Sequence, residues 1–410
     1  MTTIKLDPGA ALLLDALHGA GHAAYAVGGC VRDSLLGQAP HDWDLCTSAR
    51  PEQVMELFGE EKCIPTGLQH GTVTVKQGGR LYETTTFRIE GAYSDGRHPD
   101  AVHFVPDVRE DLARRDFTIN AMAYSAEEGL IDPFGGRGDL AAHFVRAVGE
   151  PERRFEEDAL RILRLYRFAA RFGFSVDPAT GAAARALGPH LDCVSAERIQ
   201  EEMLKLLAAP APGRYLEPAV LAVILPELYP LEEPARFAES CRVIDRLAPG
   251  AENVPARLAA LLLPLGEEGT RKALRRLKCS NALTEETAVL VRETGTSGSA
   301  TDPAVSVRRL LGRYGLTAVE RLAALGAAGH PEQAADFAAR AELARQMEAD
   351  GVCCRIAQLA VNGRDLMAAG AKPGPGLRQL LEQLLEAVIT GQVPNEKQAL
   401  LAAAAQFSAS

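Results

Sequence analysis

Aromatic side chains make up only 5% of the 410 residues, and Trp43 is the single tryptophan. A binding surface built mainly on stacked rings has few rings to use. The eight cysteines are scattered without C-x-x-C spacing, and the nine histidines contain no H-E-x-x-H, which excludes the common zinc frameworks. Cys353 and Cys354 are adjacent, which suits neither a metal site nor an ordinary disulfide, so free thiols in a reducing cytoplasm are expected. No apolar run reaches the ~18–20 residues of a membrane span. The N-terminal MTTIKLDPGAALLLDALHGAG has no basic head, long apolar stretch and cleavage site, so no secretory signal is expected. The net charge of −10 argues against a basic surface throughout; any contact with phosphate must come from local clusters. G-x-G-x-x-G is missing as well, which excludes a dinucleotide-binding oxidoreductase.

What is present divides in two. Residues up to about 147 mix helix and strand signals. A helix over 10–20 stops near Gly21, HAAYAV reads as a strand, and Pro51 opens a short helix over 51–58. GTVTVKQGGRLYETTTF reads as a hairpin turning at Gly78-Gly79. Beyond Pro151 the chain is rich in Ala, Leu, Arg and Glu at helical spacing. ERRFEEDALRILRLYRFAARFGF predicts one continuous helix ending at Gly173, and SAERIQEEMLKLLAA another with Ser195 as N-cap. The expected class is α+β, with an α/β head followed by an all-α arm.

The densest chemistry lies in YAVGGCVRDSLLGQAPHDWDLCTSA, residues 25–49. In a strand, residues two apart share a face, so Asp42 and Asp44 point one way and Trp43 the other. Two carboxylates side by side repel unless a cation neutralises them, and hard oxygen ligands suit Mg²⁺, held here by Asp42 and Asp44. Gly28 and Gly29 let backbone N–H groups approach a polyphosphate, and Arg32 adds a two-pronged donor. Glu83, on the hairpin face opposite Tyr82, is a candidate third acid. His41-Asp42 has no further His or Asp cluster beside it and is read as part of the D-x-D. A lone D-x-D is usually a surface turn, and a lone G-G usually a bend. In this order and spacing they point to nucleotidyl transfer.

GGCVRDSLLG…HDWDL resembles the signature of the class II tRNA nucleotidyltransferase and bacterial poly(A) polymerase family. ARRDFTINAMAY (113–124), IDPFGGRGDL (131–140), RFEEDALRILRLYRFAARFGF (154–174) and SAERIQEEMLKLL (195–207) resemble further blocks of that family in order, and the resemblance returns over 362–401. The likeness is greatest to the bacterial CCA-adding branch. It implies a polymerase-β-like head with a small mixed sheet over 1–147, a helical neck over 148–212, a body over 213–295 and a tRNA-binding tail over 296–410. It also implies Mg²⁺-dependent, template-independent addition of C, C and A to the tRNA 3′ end from CTP and ATP. A poly(A) polymerase, a CC- or A-adding specialist, and an inactive RNA-binding relative are the alternatives.

By motif, the resemblance makes Asp42, Asp44 and Glu83 the acidic centre and Gly29 and Arg32 triphosphate contacts. Arg115 and Asp116 become triphosphate and ribose contacts, and Asp158 and Arg161 the base-reading pair, followed by Arg164 and Arg167. A carboxylate only accepts and a guanidinium only donates, so this pair suits the amino groups and ring acceptors of C and A, and not U or G. Arg161, Arg164, Arg167 and Arg171 form a stripe on an apolar helix. They are expected to be unpaired and to need an anion, which a triphosphate supplies. Residues 87–107, including His98 and His103, are expected to form an exposed mobile loop. RKALRRLK (271–278) carries five basic residues and no acid, open to either a phosphate contact or a solvated face. Arg308, Arg309 and Arg313 form a second basic group, and Arg364 and Lys372 lie in the tail.

Overall fold

The computed structural model describes residues 3–91, 102–228, 234–296 and 302–407. The chain forms two compact units, Met1–Pro230 and Leu231–Ser410.

In the first unit, α1 (Pro8–Gly19) starts where the Asp7 carboxylate accepts from the Gly9 and Ala10 amides at 3.0 and 3.3 Å, and it buries Leu13, Leu14 and Leu17. The strands up to residue 131 are β1 (Ala24–Val27), β2 (Leu45–Thr47), β3 (Cys63–Gly67), β4 (Thr72–Gln77), β5 (Arg80–Thr86), β6 (Arg88–Glu90), β7 (Val102–Phe104), β8 (Ala123–Ser125) and β9 (Gly129–Ile131), and a short parallel pair, Phe144–Val145 with Ser175–Val176, follows. Seven of them form one sheet in the order β3-β4-β5-β2-β1-β8-β9. Every neighbouring pair is antiparallel except β2 and β5, so the sheet is mixed, as expected. The β4–β5 hairpin turns at Gly78 and Gly79, whose φ values of 58° and 78° only glycine adopts without strain. Interspersed helices are α2 (Gly29–Leu35), α3 (Pro51–Phe58), α4 (Val108–Ala113) and α5 (Gly136–Ala142). Tyr25, Val27, Cys46, Phe87, Val108 and Leu112 share one buried core.

Five helices complete this unit: α6 (Pro151–Glu157), α7 (Leu160–Phe172), α8 (Pro178–Leu187), α9 (Ala196–Leu207) and α10 (Pro218–Ile224). The single helix expected from 152 to 173 is broken at Asp158, whose φ and ψ of −149° and 103° are extended. The Asp158 carboxylate accepts from the Leu160 amide at 3.1 Å, offering the backbone an alternative to helix continuation. The far end falls where expected, at Gly173 in the left-handed conformation. Ser195 occupies the N-cap of α9, but its hydroxyl makes no capping bond.

The described residues of the second unit form helices and short 3-10 turns: α11 (Pro234–Arg246), α12 (Val254–Leu262), α13 (Gly266–Arg276), α14 (Asn281–Thr296), α15 (Pro303–Tyr314), α16 (Leu316–Gly329), α17 (Ala334–Ala349), α18 (Gly363–Ala368), α19 (Pro375–Ile389) and α20 (Lys397–Phe407). Val307, Leu311, Val319, Ala344 and Met347 centre one apolar cluster, and Leu366, Leu380, Leu384, Val388 and Leu400 another. Among the described residues no helix is long and apolar enough to cross a membrane.

Candidate active site

Asp42 and Asp44 stand just before β2 rather than within it, but the alternation expected of a strand already operates: both are exposed and Trp43 between them is buried. The Asp44 carbonyl accepts from the Val27 amide at 2.9 Å, fixing this approach against β1. The parallel register pairs Leu45 with Thr84, so one step back along both chains brings Asp44 beside Glu83. Although Asp44 reaches solvent, dense surroundings push its carboxyl above the usual range; the charges of Glu83 and Asp42 push the same way, and Arg115 opposes them. Asp44 thus stands in the field of the other two acids, as a cation site requires. Among the described residues no three acidic, His or Cys side chains draw together closely enough to form a complete metal cage. Mg²⁺ rarely uses one; it takes one or two carboxylates and fills its shell with water and phosphate oxygens.

Gly28 caps the N-terminus of α2 with φ 78°. A Cβ there would lie 2.9 Å from Arg115 Nη1, so glycine is required both for the backbone and for the arginine's approach. Arg115 in turn contacts Asp111 at 3.4 Å, and its buried Nε has no hydrogen-bond partner. Gly29, the first residue of α2, leaves ordinary clearance of 3.5 Å to Arg32.

Arg32 departs from expectation. Rather than opening its fork to the cleft, it is 4% exposed and committed internally. Its Nε donates to Asp33 Oδ1 at 2.8 Å and its Nη1 to Asn120 Oδ1. Burial pulls its pKa down, and the adjacent Asp33 carboxylate partly restores it.

The arginine stripe of α7 is also not unpaired. Arg161 meets Glu157 at 2.9 Å, Arg164 meets Asp116 at 2.6 Å and Arg171 meets Asp33 at 3.4 Å. Arg167 Nε donates to Glu202 of α9. Protein carboxylates supply the counter-charge that the sequence left open. Asp158 and Arg161 are three residues apart yet engage different partners: Asp158 Oδ2 accepts from Arg198 at 2.8 Å, and Arg161 Nη2 donates to the Arg114 carbonyl at 3.1 Å. Asp116 is buried, which works against its charge, but Arg164, the Asn120 amide and Arg161 overcome this and hold it at about 2.

Sequence reasoning missed Asn120, Asp33, Glu202 and Arg198. Asn120 lies on a 3-10 turn four residues after Asp116 and bridges it to Arg32, with Nδ2 donating to Asp116 at 3.1 Å. Glu202 gave a signal: it falls on the apolar face of α9 with Ile199, Met203 and Leu206, where an acid needs a cation. In the expected loop, His103 lies on β7, which pairs with β6; His98 and residues 92–101 lie outside the described residues.

In the second unit the basic clusters are partly spent internally. Arg271 contacts Glu267, Glu268 and Glu285. Arg308 donates to the Ile389 carbonyl at the end of α19 at 3.2 Å, and Arg309 pairs with Glu386. Lys272, Arg313, Arg364 and Lys372 remain exposed.

Three family models match in chain order: a poly A polymerase head domain over residues 24–146, a probable RNA and SrmB-binding site of polymerase A over 173–231, and a putative tRNA nucleotidyltransferase domain 2 over 252–404. The CCA-adding enzyme of Limosilactobacillus fermentum is 37% identical over 96% of this chain and 96% of its own. The chain belongs to the CCA-adding enzyme family. The CCA-adding enzyme of Geobacillus stearothermophilus is likewise 37% identical, covering 93% of this chain and 92% of its own. The crystal structure of the Bacillus stearothermophilus CCA-adding enzyme in complex with CTP matches with a TM-score of 0.80 and 33% identity over 98% of each chain. The Thermotoga maritima CCA-adding enzyme complexed with tRNA matches at 0.70 with 21% identity over 98% of this chain and 96% of its own, a likeness of fold. As a CCA-adding family member the chain is a nucleotidyltransferase, with a polymerase-β-like head followed by a helical body.

Proposed function

We propose that this family member adds C, C and A in turn to the 3′ end of tRNA, using CTP and ATP and releasing pyrophosphate. The observation that carries the reading is the convergence of Asp42, Asp44, Glu83 and Arg115 beside the Gly28 turn. Exposed carboxylates gathered around Asp44 fit a hard divalent ion, with Asp42 and Asp44 holding it and Glu83 supporting them. When bound, Mg²⁺ would lower the pKa of the attacking 3′-hydroxyl and offset charge on the α-phosphate.

The protein's own groups position the substrate. Gly29 and Arg115, whose Nη1 lies close to the adjacent Gly28 turn, are assigned the triphosphate contacts. Arg164 and Arg167 are assigned further nucleotide contacts; Asp116, already filled by Arg164, Asn120 and the Phe117 amide, meets the ribose only when one of these yields. Arg32 reaches a phosphate only by leaving Asp33, so its part is to back the site from below. Asp158 has spare acceptor capacity: a carboxylate has about four lone-pair sites, and Arg198 and the Leu160 amide take one each. A C or A amino group fits there, whereas the U or G carbonyl meets like polarity, with Arg161 donating to the ring.

The head (1–147) carries the chemistry. The neck (148–212) carries the base-reading pair Asp158 and Arg161, while body (213–295) and tail (296–410) grip tRNA through phosphate contacts such as Lys272, Arg313, Arg364 and Lys372. The eight unpaired cysteines suit a reducing cytoplasm. Asp42→Ala is expected to abolish nucleotide incorporation while tRNA retention in a gel shift stays unchanged; incorporation near wild type contradicts the reading.

A further inference from the structure

Three guanidiniums converge on one phenylalanine ring. Arg167 Cζ stands 4.0 Å from the Phe168 centroid, Arg32 5.4 Å and Arg164 5.5 Å. The ring is 5% exposed and meets Phe117 edge to face at 5.8 Å. One turn on, Phe172 stacks parallel to it at 6.1 Å and carries Arg32 at 4.8 Å and Arg171 at 5.1 Å. At their edges the same guanidiniums are bound by Asp33, Asp116 and Glu202. Each cation is therefore held twice, by a carboxylate and by an aromatic ring.

The two supports differ in what an incoming anion does to them. A carboxylate neutralises an arginine but competes with phosphate for the same donors. An aromatic face attracts the cation through its quadrupole and leaves the N–H groups free to donate. Gathering several arginines without such a face would leave their mutual repulsion to carboxylates alone, each of which weakens phosphate binding. We propose that Phe168 is a positioning residue for triphosphate recognition, an uncharged plate that gathers Arg164 and Arg167 where a nucleoside triphosphate meets them, with Arg32 behind them. The inference rests on the triphosphate reading of these arginines given above.

The test compares wild type, Phe168→Leu and a series with one, two and three ring fluorines at position 168, which weaken the quadrupole at nearly constant shape. The readouts are KM for CTP and inhibition by inorganic pyrophosphate, alongside kcat and tRNA affinity. Phe168→Leu is expected to weaken CTP and pyrophosphate binding by ~5- to 30-fold, with tRNA affinity unchanged and kcat moving far less than KM. The fluorinated series is expected to follow in steps. A folded Leu variant with wild-type pyrophosphate affinity, or a flat fluorinated series, overturns the proposal; if the Leu variant does not fold, the fluorinated series decides. Arg164→Gln separates the two layers. If it weakens pyrophosphate binding while the fluorinated series is flat, only the ring's role falls; if it too changes nothing, the triphosphate reading falls with it.

Discussion

Asp116 Oδ2 accepts two hydrogen bonds from Arg164, at 2.6 Å from Nη2 and 2.9 Å from Nε. The bond joins the short turn after α4 to the middle of α7, and it carries one end of a chain that runs through Asn120 to Arg32 and Asp33. Arg164 and Arg32 are thus ordered by protein partners alone.

That order has a pH signature. Asp116 is held at about 2 against an ordinary 3.8, so its folded-state value is depressed. Such a carboxylate contributes stability above its unfolded pKa, and the contribution is lost as pH falls through the folded value. Between about pH 4 and about pH 2 the wild type is expected to lose on the order of 2 kcal/mol through this group, a loss that Asp116→Asn cannot show. Urea unfolding of both proteins across that window checks it. Equal pH slopes for the two would contradict the assignment.

Gly28→Ala tests the turn. The backbone there has φ 78°, and the added methyl would sit 2.9 Å from Arg115 Nη1. A stability loss of roughly 1–3 kcal/mol is expected, together with a raised KM for CTP as Arg115 is pushed aside. Unchanged tRNA affinity would place the damage in the nucleotide cleft. A variant with wild-type KM would show that the close approach of Arg115 to this turn is incidental.

Arg198→Ala tests how base selection is held in place. With Arg198 gone, Asp158 keeps only the Leu160 amide as a bonding partner among those described. Loss of one charge-assisted bond is expected to cut the preference for CTP over UTP by about tenfold. Competition between the two nucleotides for a single addition measures it. A raised KM for both with the ratio intact would confine Arg198 to packing.

The elements around the site were readable because their signals are local. Pro51, Gly78-Gly79 and Gly173 each mark a turn or cap by their own backbone chemistry, and the structure places them there. The D-x-D alternation was legible for the same reason, although regular pairing starts only at Leu45. The break at Asp158 was not, because LRILRLYRF and ERRFEE both favour helix and one side-chain bond, from the Leu160 amide to Asp158, competes with its continuation. The partners of the arginine stripe were also hidden. Asp116, Glu202 and Asp33 lie 48, 35 and 138 residues from the arginines they bind, and only the folded chain brings them to α7. A stripe of cations reads the same from sequence whether its anion comes from a ligand or from the protein.

The most direct measurement supplies purified protein with Mg²⁺ and a tRNA lacking its 3′ CCA, with CTP alone, ATP alone, both, and all four nucleotides. Product length and sequence should read C-C with CTP alone, C-C-A with CTP and ATP, and the same C-C-A with all four, each lost in Asp42→Ala. A run of A from ATP alone, incorporation of U or G, or no extension of a tRNA that the protein demonstrably binds would contradict the account.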